Sequence, residues 1–542
     1  MSAKTLASHI STRKPASIKR PEVGKQTLNS AGKSVFVLSK WDILDRFLIL
    51  GSEQGSYYAS SGKLTADHAK NVLQCIKENG KLTVDTAVSM SVSGRAAKND
   101  PALMVLALCA AHGNDKTKAY AMKALPEVAR TGTHLFNFAE FVTSQRGWGR
   151  LLKEGVARWY TEKPVDKLAM QVIKYQSREN WSHSRLIKLS HPKTDDPLRN
   201  TLFKWVRKGS EGMEEGEMTP SLIVGMELLK RATSAKTAVS LIEQYGLPRE
   251  AVPTNLLNDP DVWHSLLPHM GLTAMLRNLG KMSNIGLLRE GSDATRFVLE
   301  RMLNPESLRK ERIHPYNVLV ALTTYQRGCG LKGSSTWPVV RQIANGLNET
   351  FYASFGHVSP SNKRTLLCMD VSSSMSSSII QDSAISAAMG SAAMVMTTIR
   401  SEPVWEVMGF SHEFKKLDKI TPHATLNEIL EYTKRMNFGA TDCSLPMEWA
   451  KKNRVEVDTF IVYTDNETNA NRLPPHTSLE NYRQAMGIGA RMIVVAMSPS
   501  RYTIANSKDG GMLDVIGFDS AAPNLISAFS SGGFSRELSI EL

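Results

Sequence analysis

A change in hydrophobic pattern near residue 361 constrains the fold of this chain more than any other feature of its sequence. Before that point, from residue 41 onward, apolar residues recur at intervals of three and four, and strand-like alternation is scarce. After it, short β-rich apolar runs alternate with helical segments. Consecutive helices predict an all-α region, whereas alternating strands and helices predict a mostly parallel sheet covered on both faces. We therefore predict an α-helical region at 41–360 and an α/β domain at 361–542.

The helical region has clear start and stop signals but no fixed repeat. Pro101 fits the first turn of a helix, and Gly80 and Gly113 are typical of helix C-termini. At ordinary helix and loop lengths, the region holds about 14 to 18 helices. Because no motif recurs at a constant spacing, a regular solenoid is not supported, and an irregular array of stacked helix pairs similar to HEAT repeats remains compatible.

Basic charge is concentrated in the first two thirds of the chain. The 542 residues carry 66 Lys and Arg against 52 Asp and Glu, a net charge of +14. Residues 1–40 account for +7 of it, and residues 361–542 carry −3. Such an excess favours a polyanionic partner, most simply nucleic acid, through counterion release. A merely soluble basic surface is the alternative.

The N-terminal residues and the cysteines bear on the cellular compartment. Residues 1–40 are rich in Ser, Thr and Lys, which predicts a flexible basic arm, although a mitochondrial transit peptide has a similar composition. No run of about 18 apolar residues is present, so we expect no membrane span. The five cysteines lie far apart without a CxxC pair, which indicates a reducing compartment. We expect a cytoplasmic protein.

Oxygen-bearing side chains follow the predicted strands of the α/β domain. Asp370, Ser372 and Ser374 come directly after the first strand, Thr441 lies in a later loop, and Asp465 ends another strand. Because the carboxyl ends of parallel strands meet at one edge of a sheet, we expect these five residues to lie together. An all-oxygen set of this kind suits Mg²⁺ or another hard divalent ion.

This order of residues resembles the metal-ion-dependent adhesion site of von Willebrand factor type A domains. The resemblance implies that the serines bind the metal directly, that Thr441 and Asp465 bind it directly or through water, and that an acidic group of a protein partner fills the last position. A plain serine-rich turn is the alternative for the first motif taken alone. Ser372 stands where a phosphohydrolase loop has a second aspartate, and no Lys or His adjoins the loop. Hydrolysis is therefore not indicated, and we expect no enzymatic activity.

Basic side chains cluster in residues 174–191. Lys174 and Arg178 are four residues apart, which predicts that they share one helical face. Ser182 is a candidate N-cap for the following helix. Three more basic residues recur at three-residue intervals on that helix: Arg185, Lys188 and His191. Two neighbouring helices could thus present one cationic patch, and a solvated helix surface is the alternative.

Seven phrases, spread in order over nearly the whole chain, carry a family resemblance. They are RFLILGSEQGSYY, THLFNFAEF, GWGRLLKEGVARWY, KYQSRENWSHSRLIKLSH, GLTAMLRNLGKM, RIHPYNVLVALTTYQRGCGLKG and GATDCSLPMEWA. The chain resembles the Ro autoantigen family of TROVE-module RNA-binding proteins. The resemblance implies a ring of HEAT-like helical repeats closed by a von Willebrand type A domain. It also implies that a small noncoding Y RNA binds outside the ring, at Lys174, Arg178 and His191.

The same resemblance implies a central hole that takes single-stranded 3′ ends of misfolded or precursor RNA. Arg277 and Lys281, four residues apart, are candidates to line it, and the alternative is that Arg277 caps or bridges helices. The implied role is RNA quality control, with a 3′ exoribonuclease (polynucleotide phosphorylase) as a partner in bacteria. The rival function is a metal-dependent protein-adhesion module that uses the helices as a scaffold. The net charge of +17 over residues 1–360 favours RNA binding.

Overall fold

The computed structural model shows a helical array followed by an α/β domain. It describes residues 26–28, 34–36, 39–51, 56–58, 70–93, 98–178, 180–311, 313–331, 334–355, 360–377, 379–380, 383–411, 413–436, 442–465, 473–497, 506, 509–518 and 522–532. The predicted change from all-α to α/β structure is confirmed; the last helix of the array ends at Ser354 and the first central strand begins at Thr365.

Helices account for most of the first region. Their bounds are α1 Lys40–Leu50, α2 Lys70–Ser93, α3 Asp100–His112, α4 Asp115–Val128, α5 Gly132–Thr143, α6 Arg150–Glu162, α7 Val165–Lys174, α8 His183–Ser190, α9 Pro197–Lys208, α10 Ser221–Lys230, α11 Ala235–Tyr245, α12 Pro260–Leu266, α13 Leu272–Asn284, α14 Asp293–Leu303, α15 Pro305–Lys310, α16 Pro315–Gln326 and α17 Arg341–Ser354. Successive helices pack as neighbours along this array. The sequence starts them with local signals such as Asn114, whose side chain accepts a hydrogen bond from Thr117 N, and Pro101 in a first turn.

Gly80 lies at a break between two helical segments, so the first segment ends beside it as its sequence context predicts. The helix α2 kinks at Asn79 (φ −149°, ψ 85°) and then continues to Ser93. A Cβ at Gly80 would lie 2.1 Å from the hydroxyl oxygen of Thr117 on α4, which is far inside van der Waals contact. The glycine is therefore required by close helix packing rather than by a C-terminal turn.

The second region is built on a seven-stranded sheet in the order β3-β11-β10-β9-β6-β7-β8, in which β3 is Ser56–Tyr58 and all strands are parallel except β8. Its elements are β6 Thr365–Asp370, α18 Ser374–Ser377, α19 Ala387–Ser401, β7 Trp405–Phe410, β8 Phe414–Lys416, α20 Leu426–Lys434, α21 Leu445–Lys452, β9 Thr459–Thr464, α22 Pro475–Met486, β10 Arg491–Ala496, β11 Met512–Ile516 and α23 Ala522–Ser531. Side chains alternate between its two faces. Leu367 and Met369 pack in the core that is continuous with the helical array, whereas Leu366 and Cys368 pack in a second core with residues of α21 and α22.

The N-terminal part of the chain departs from the predicted boundaries. An edge strand of the C-terminal sheet, β3 (Ser56–Tyr58), comes from the region predicted to be wholly helical, and it pairs in parallel with β11. Within the predicted arm at 1–40, β1 (Gln26–Leu28) and β2 (Ser34–Phe36) form an antiparallel hairpin, and β2 contacts α22. The remainder of the predicted arm, up to residue 38, lies outside the described residues.

Both ends of the helical array contact the C-terminal domain. At one end, the buried guanidinium of Arg46 on α1 donates to the carbonyl oxygens of Asp509 and Met512, at 3.1 and 3.2 Å. At the other end, α16 packs against α19, and the rings of Tyr316 and Phe518 lie 4.8 Å apart. Two further strands, β4 (Ser177–Arg178) and β5 (Trp181–Ser182), form a short hairpin within the array. The helical array thus contacts the α/β domain near both of its ends.

Candidate nucleic-acid interface and metal site

The predicted cationic patch lies on three elements rather than on two helices. Lys174 is the last residue of α7, whereas Arg178 lies in β4, so the expected common helical face of this pair is wrong. The helix ends because Tyr175 leaves the helical conformation (φ −125°, ψ 65°) and the chain turns into the β4–β5 hairpin. Ser182 is the N-cap of α8, as predicted, and its hydroxyl accepts from Arg185 N at 3.2 Å. The five cationic positions of the patch are all solvent-exposed: Lys174, Arg178, Arg185, Lys188 and His191.

An aromatic support holds the hairpin and Arg185. The indole of Trp181 is 3% exposed and donates to Glu140 Oε2 on α5 at 2.8 Å. The guanidinium of Arg185 lies 4.3 Å above the Trp181 ring and donates to the carbonyl of Asn180 at 2.7 Å. Stacking and the hydrogen bond restrict Arg185 to the outer surface, which reduces the entropy it loses on meeting a phosphate.

A buried histidine lies beneath the same hairpin. His183 is 1% exposed, shares a 2.8 Å hydrogen bond with the hydroxyl of Tyr160 and packs 4.8 Å from the ring of Phe136. Burial lowers the pKa of His183 to about 4, so its imidazole is neutral at pH 7. Burial also lowers the pKa of His134 on α5 to about 4, and the positive charges of Arg130 and Arg178 contribute to that shift. These histidines belong to the support of the patch.

A groove of about 740 Å³ continues the patch along α8 and α9. Lys188 and His191 line it, as do further cations that the sequence spacing did not single out: Lys193, Lys204 and Arg207. His191 is the C-cap of α8 in the left-handed region (φ 47°), so it is not a helical residue as the three-residue spacing predicted. The i, i+3 spacing of Lys204 and Arg207 is the sequence signal that could have revealed the second wall of the groove. The structure thus brings Lys188 and His191 into one concave basic surface.

Arg277 and Lys281, four residues apart on α13, line one cavity. The cavity holds about 630 Å³ between α13, α16 and the C-terminal domain, and Tyr316, Trp337 and Phe518 also border it. Lys281 Nζ donates to Asn258 Oδ1 at 2.7 Å. The exposed Arg277 forms no ion pair within the described part of the chain, which argues against the alternative that it bridges helices.

Two carboxylates meet at the carboxyl edge of the sheet. Asp370 ends β6 and Asp465 follows β9, and these strands are paired neighbours. Asp370 is 3% and Asp465 7% exposed. The hydroxyls of Ser372 and Ser374 share a 3.0 Å hydrogen bond, and Val371, between Asp370 and Ser372, packs in the core. The structure therefore assembles four of the five predicted residues, and the fifth, Thr441, lies outside the described residues.

The electrostatics of Asp370 are those of a carboxylate buried beside another. Burial and the charge of Asp465 raise the pKa of Asp370, against hydrogen bonds donated by Ser372 and Thr464. Ser372 N donates to Asp370 Oδ1 at 2.9 Å, and Thr464 Oγ1 donates to Oδ2 at 3.0 Å. Thr464 is a supporting residue that sequence reasoning missed, although it directly precedes Asp465. A hard cation would offset the repulsion between the two carboxylates, so the donor set fits Mg²⁺.

Among the described residues, no group of three or more His, Cys, Asp or Glu side chains is placed to hold a metal. The candidate site instead combines two carboxylates with hydroxyls, which is the set that the strand-end pattern predicts.

Comparisons with known proteins agree with both halves of this architecture. The TROVE domain model matches residues 27–216 and 246–326, and the Ro60 vWA domain model matches 364–530. RNA-binding protein RO60 of Deinococcus radiodurans is 40% identical over 514 residues, 94% of this chain and 96% of that protein. The chain belongs to the Ro60 family. RNA-binding protein RO60 of Caenorhabditis elegans is 34% identical over 584 residues, which cover 94% of this chain and 90% of that protein.

The Ro60 fold is also found by comparison of structures. The crystal structure of the Deinococcus radiodurans RO (RSR) protein matches with a TM-score of 0.86 and 39% identity, covering 91% of this chain and all of that one. The TROVE match begins at residue 27, inside the segment predicted as an arm, where the β1–β2 hairpin starts. In the described parts of this Ro60 family member, every helix is too short or too polar to cross a bilayer.

Proposed function

We propose that this chain is an RNA-binding ring protein whose outer basic surface binds a small structured RNA of the Y type. The observation that carries the proposal is the cationic patch held on a rigid support: exposed Lys174, Arg178 and Arg185 stand on elements pinned by the buried Trp181 and His183. The two relatives named RNA-binding proteins, at 40% and 34% identity, support the same class of ligand.

The patch and its groove act mainly on the phosphate backbone. Lys and Arg side chains neutralise phosphates and release condensed counterions, which makes binding strong at low salt and weak at high salt. The groove along α8 and α9 adds concave shape, which suits a folded RNA better than a flexible strand. Shape and charge together, rather than base reading, would select the ligand.

The cavity beside Arg277 and Lys281 is proposed to take single-stranded 3′ ends of misfolded or precursor RNA. Its cations can pair with phosphates, and Tyr316, Trp337 and Phe518 offer aromatic surface on which bases stack. Two separated sites, one for structured and one for single-stranded RNA, support a role in RNA quality control. In a bacterial cell the released substrate would pass to a 3′ exoribonuclease such as polynucleotide phosphorylase, in the cytoplasm.

The site at the sheet edge is proposed to bind Mg²⁺ without performing catalysis. Asp370, Ser372, Ser374, Thr441 and Asp465 would hold the ion, which would supply a positive centre for an acidic side chain of a protein partner. Buried Asp370 and Asp465 supply charge, and Thr464 orients Asp370. No lysine or histidine adjoins the loop in sequence to act as a general acid, so the proposed role is adhesion rather than hydrolysis.

RNA binding is tested with Lys174→Ala/Arg178→Ala and a synthetic stem–loop RNA across a salt series. Removing one cation that pairs with a phosphate should weaken binding by about 1 to 2 kcal/mol and reduce the salt slope by about one. A charge-matched control is Lys434→Ala/Arg435→Ala on the C-terminal domain, which should bind as the wild type does. Unchanged affinity and salt slope in Lys174→Ala/Arg178→Ala would rule out RNA binding by the patch and would favour the rival function, protein adhesion. Sequencing of the RNA that co-purifies with the wild-type protein then identifies the natural ligand.

A further inference from the structure

The basic groove has an acidic turn on its far side. The turn follows α9 and spans residues 211–217, with four glutamates among seven residues. Two of them reach into the groove: Lys204 Nζ forms an ion pair with Glu217, and a second with Glu214 at 3.3 Å. Glu217 also lines the groove, together with the 60% exposed Met218. A carboxylate pair therefore lies against a cation of the surface proposed to bind phosphate.

Lys204 differs in this respect from its neighbours. The other three Lys and Arg residues of the groove, Lys188, Lys193 and Arg207, form no ion pair within the described residues. The pairing raises the pKa of Lys204 and lowers that of Glu217, as expected when each stabilises the charge of the other. One of the four groove cations is thus already neutralised from within the protein.

The acidic turn is positioned but not buried. Glu217 Oε2 accepts a 3.3 Å hydrogen bond from Glu214 N, and Gly216 takes a φ of +83° that a side chain would disfavour. The side chains of Lys204, Glu214 and Glu217 are 42%, 75% and 25% exposed. Ion pairs at this exposure are weak, so an incoming phosphate can replace the carboxylates at Lys204.

We propose that Glu214 and Glu217 are an internal competitor for RNA phosphate at Lys204, so that a folded RNA in the groove must displace them to reach that cation. The inference rests on the proposed function. A folded RNA that also meets Lys188 and Arg207 carries a phosphate to Lys204 and displaces the turn there. When a phosphate displaces the two carboxylates from Lys204, the carboxylates bind counterions from solution again. Phosphate binding at Lys204 therefore releases about one ion fewer in total than phosphate binding at a lysine without an ion pair.

The test compares two charge-matched variants, Glu214→Gln/Glu217→Gln and Glu211→Gln/Glu215→Gln. Both remove two negative charges from the same turn, but Glu211 and Glu215 form no ion pair among the described residues. Glutamine keeps the size of the side chain and its acceptor oxygen for the Glu214 amide. The probes are a synthetic stem–loop RNA and a single-stranded oligonucleotide, each titrated at several salt concentrations.

The first variant should bind the stem–loop about fivefold more tightly than the wild type does, with a smaller gain for the single strand. Its salt slope should steepen by about one, and the change in slope should vanish when Lys204→Ala is added. Equal gains in the two glutamine variants would show a general effect of charge and overturn the proposal. So would an unchanged slope in Glu214→Gln/Glu217→Gln.

Failure of the proposed function has a different signature. If the groove does not bind RNA, Lys188→Ala/Arg207→Ala leaves the affinity of both probes unchanged, and no glutamine variant matters. If the groove binds RNA but the turn does not compete, Lys188→Ala/Arg207→Ala loses affinity while Glu214→Gln/Glu217→Gln behaves as the wild type does. The stem–loop titration of these two variants therefore separates the two failures.

Discussion

The basic surface of the helical array and the oxygen site of the α/β domain use charge in opposite ways. The cations of the basic surface lie on separate helices and strands, and their side chains are exposed to solvent. The carboxylates of the oxygen site are 3% and 7% exposed and lie at the ends of two paired strands. The first arrangement attracts a polyanion over a distance of about a Debye length, whereas the second acts only on an ion that enters it.

This difference predicts how each site tolerates change. Exposed cations contribute small, roughly separable amounts, so removing one weakens binding without abolishing it. Buried carboxylates depend on their partners, because an uncompensated buried charge costs several kcal/mol. One residue should therefore decide the function of the oxygen site, and no single residue should decide that of the basic surface.

The largest effect is expected from Asp370→Ala. Asp370 accepts from Ser372 N and Thr464 Oγ1 and supplies charge that hydroxyls cannot, so its loss should abolish Mg²⁺ binding in a calorimetric titration. The fold and RNA binding should survive, because the strands bury their own core and the basic surface lies in the other region. Asp418→Ala, an exposed carboxylate of the same domain, is the control. RNA or phosphoester cleavage that requires Mg²⁺ and vanishes in Asp370→Ala would contradict the non-enzymatic role.

A smaller effect is expected from lowering the pH to 5, which should reduce the stability of the helical array. Burial lowers the pKa of His183 and of His314 to about 4, below the value of about 6.5 expected for the unfolded chain. Between these values the unfolded state binds more protons, so stability is lost as the pH falls from 6.5 towards 4. At pH 5 the loss is about 2 kcal/mol for each histidine.

The acid effect is measured as the unfolding midpoint between pH 7 and pH 5. His183→Gln should show a shallower pH dependence, while His423→Gln, in the α/β domain, should follow the wild type. Hydrogen exchange at pH 5 should accelerate in the hairpin above His183 more than in β9. Equal acceleration in both regions would mean that the buried histidines are not the cause.

The smallest effect is expected from charge reversal in the cavity. Arg277→Glu/Lys281→Glu should weaken binding of a single-stranded RNA by about tenfold, because two attractive contacts become repulsive, and leave stem–loop binding nearly unchanged. The matched variant Lys188→Glu/Arg207→Glu should do the reverse. Weaker binding of both ligands in either variant would show that the two surfaces are one site.

The strand-end residues were predictable because their arrangement is local. The apolar run of β6 ends at Asp370, so Asp370, Ser372 and Ser374 fall at the strand end or directly after it, and Val371 packs in the core as expected. Parallel pairing then brings Asp465 to the same edge. Ser182 as an N-cap and Pro101 in a first turn were predictable for the same reason. The order of all-α and α/β regions follows from periodicity over many residues.

What the sequence could not decide depends on surfaces far away along the chain. The helix α7 ends before Arg178 because the hairpin that follows is held by the hydrogen bond from Trp181 to Glu140 of α5. Lys174 and Arg178 therefore do not share a helical face, although they are four residues apart. Ser56–Tyr58 became a strand because β11 offers it an edge. Local signals determined the helix caps and the order of helices and strands over most of the chain, since they act within a few residues. Only the tertiary structure decided which distant helix or strand each element pairs with or packs against, because that choice depends on surfaces that exist only after folding.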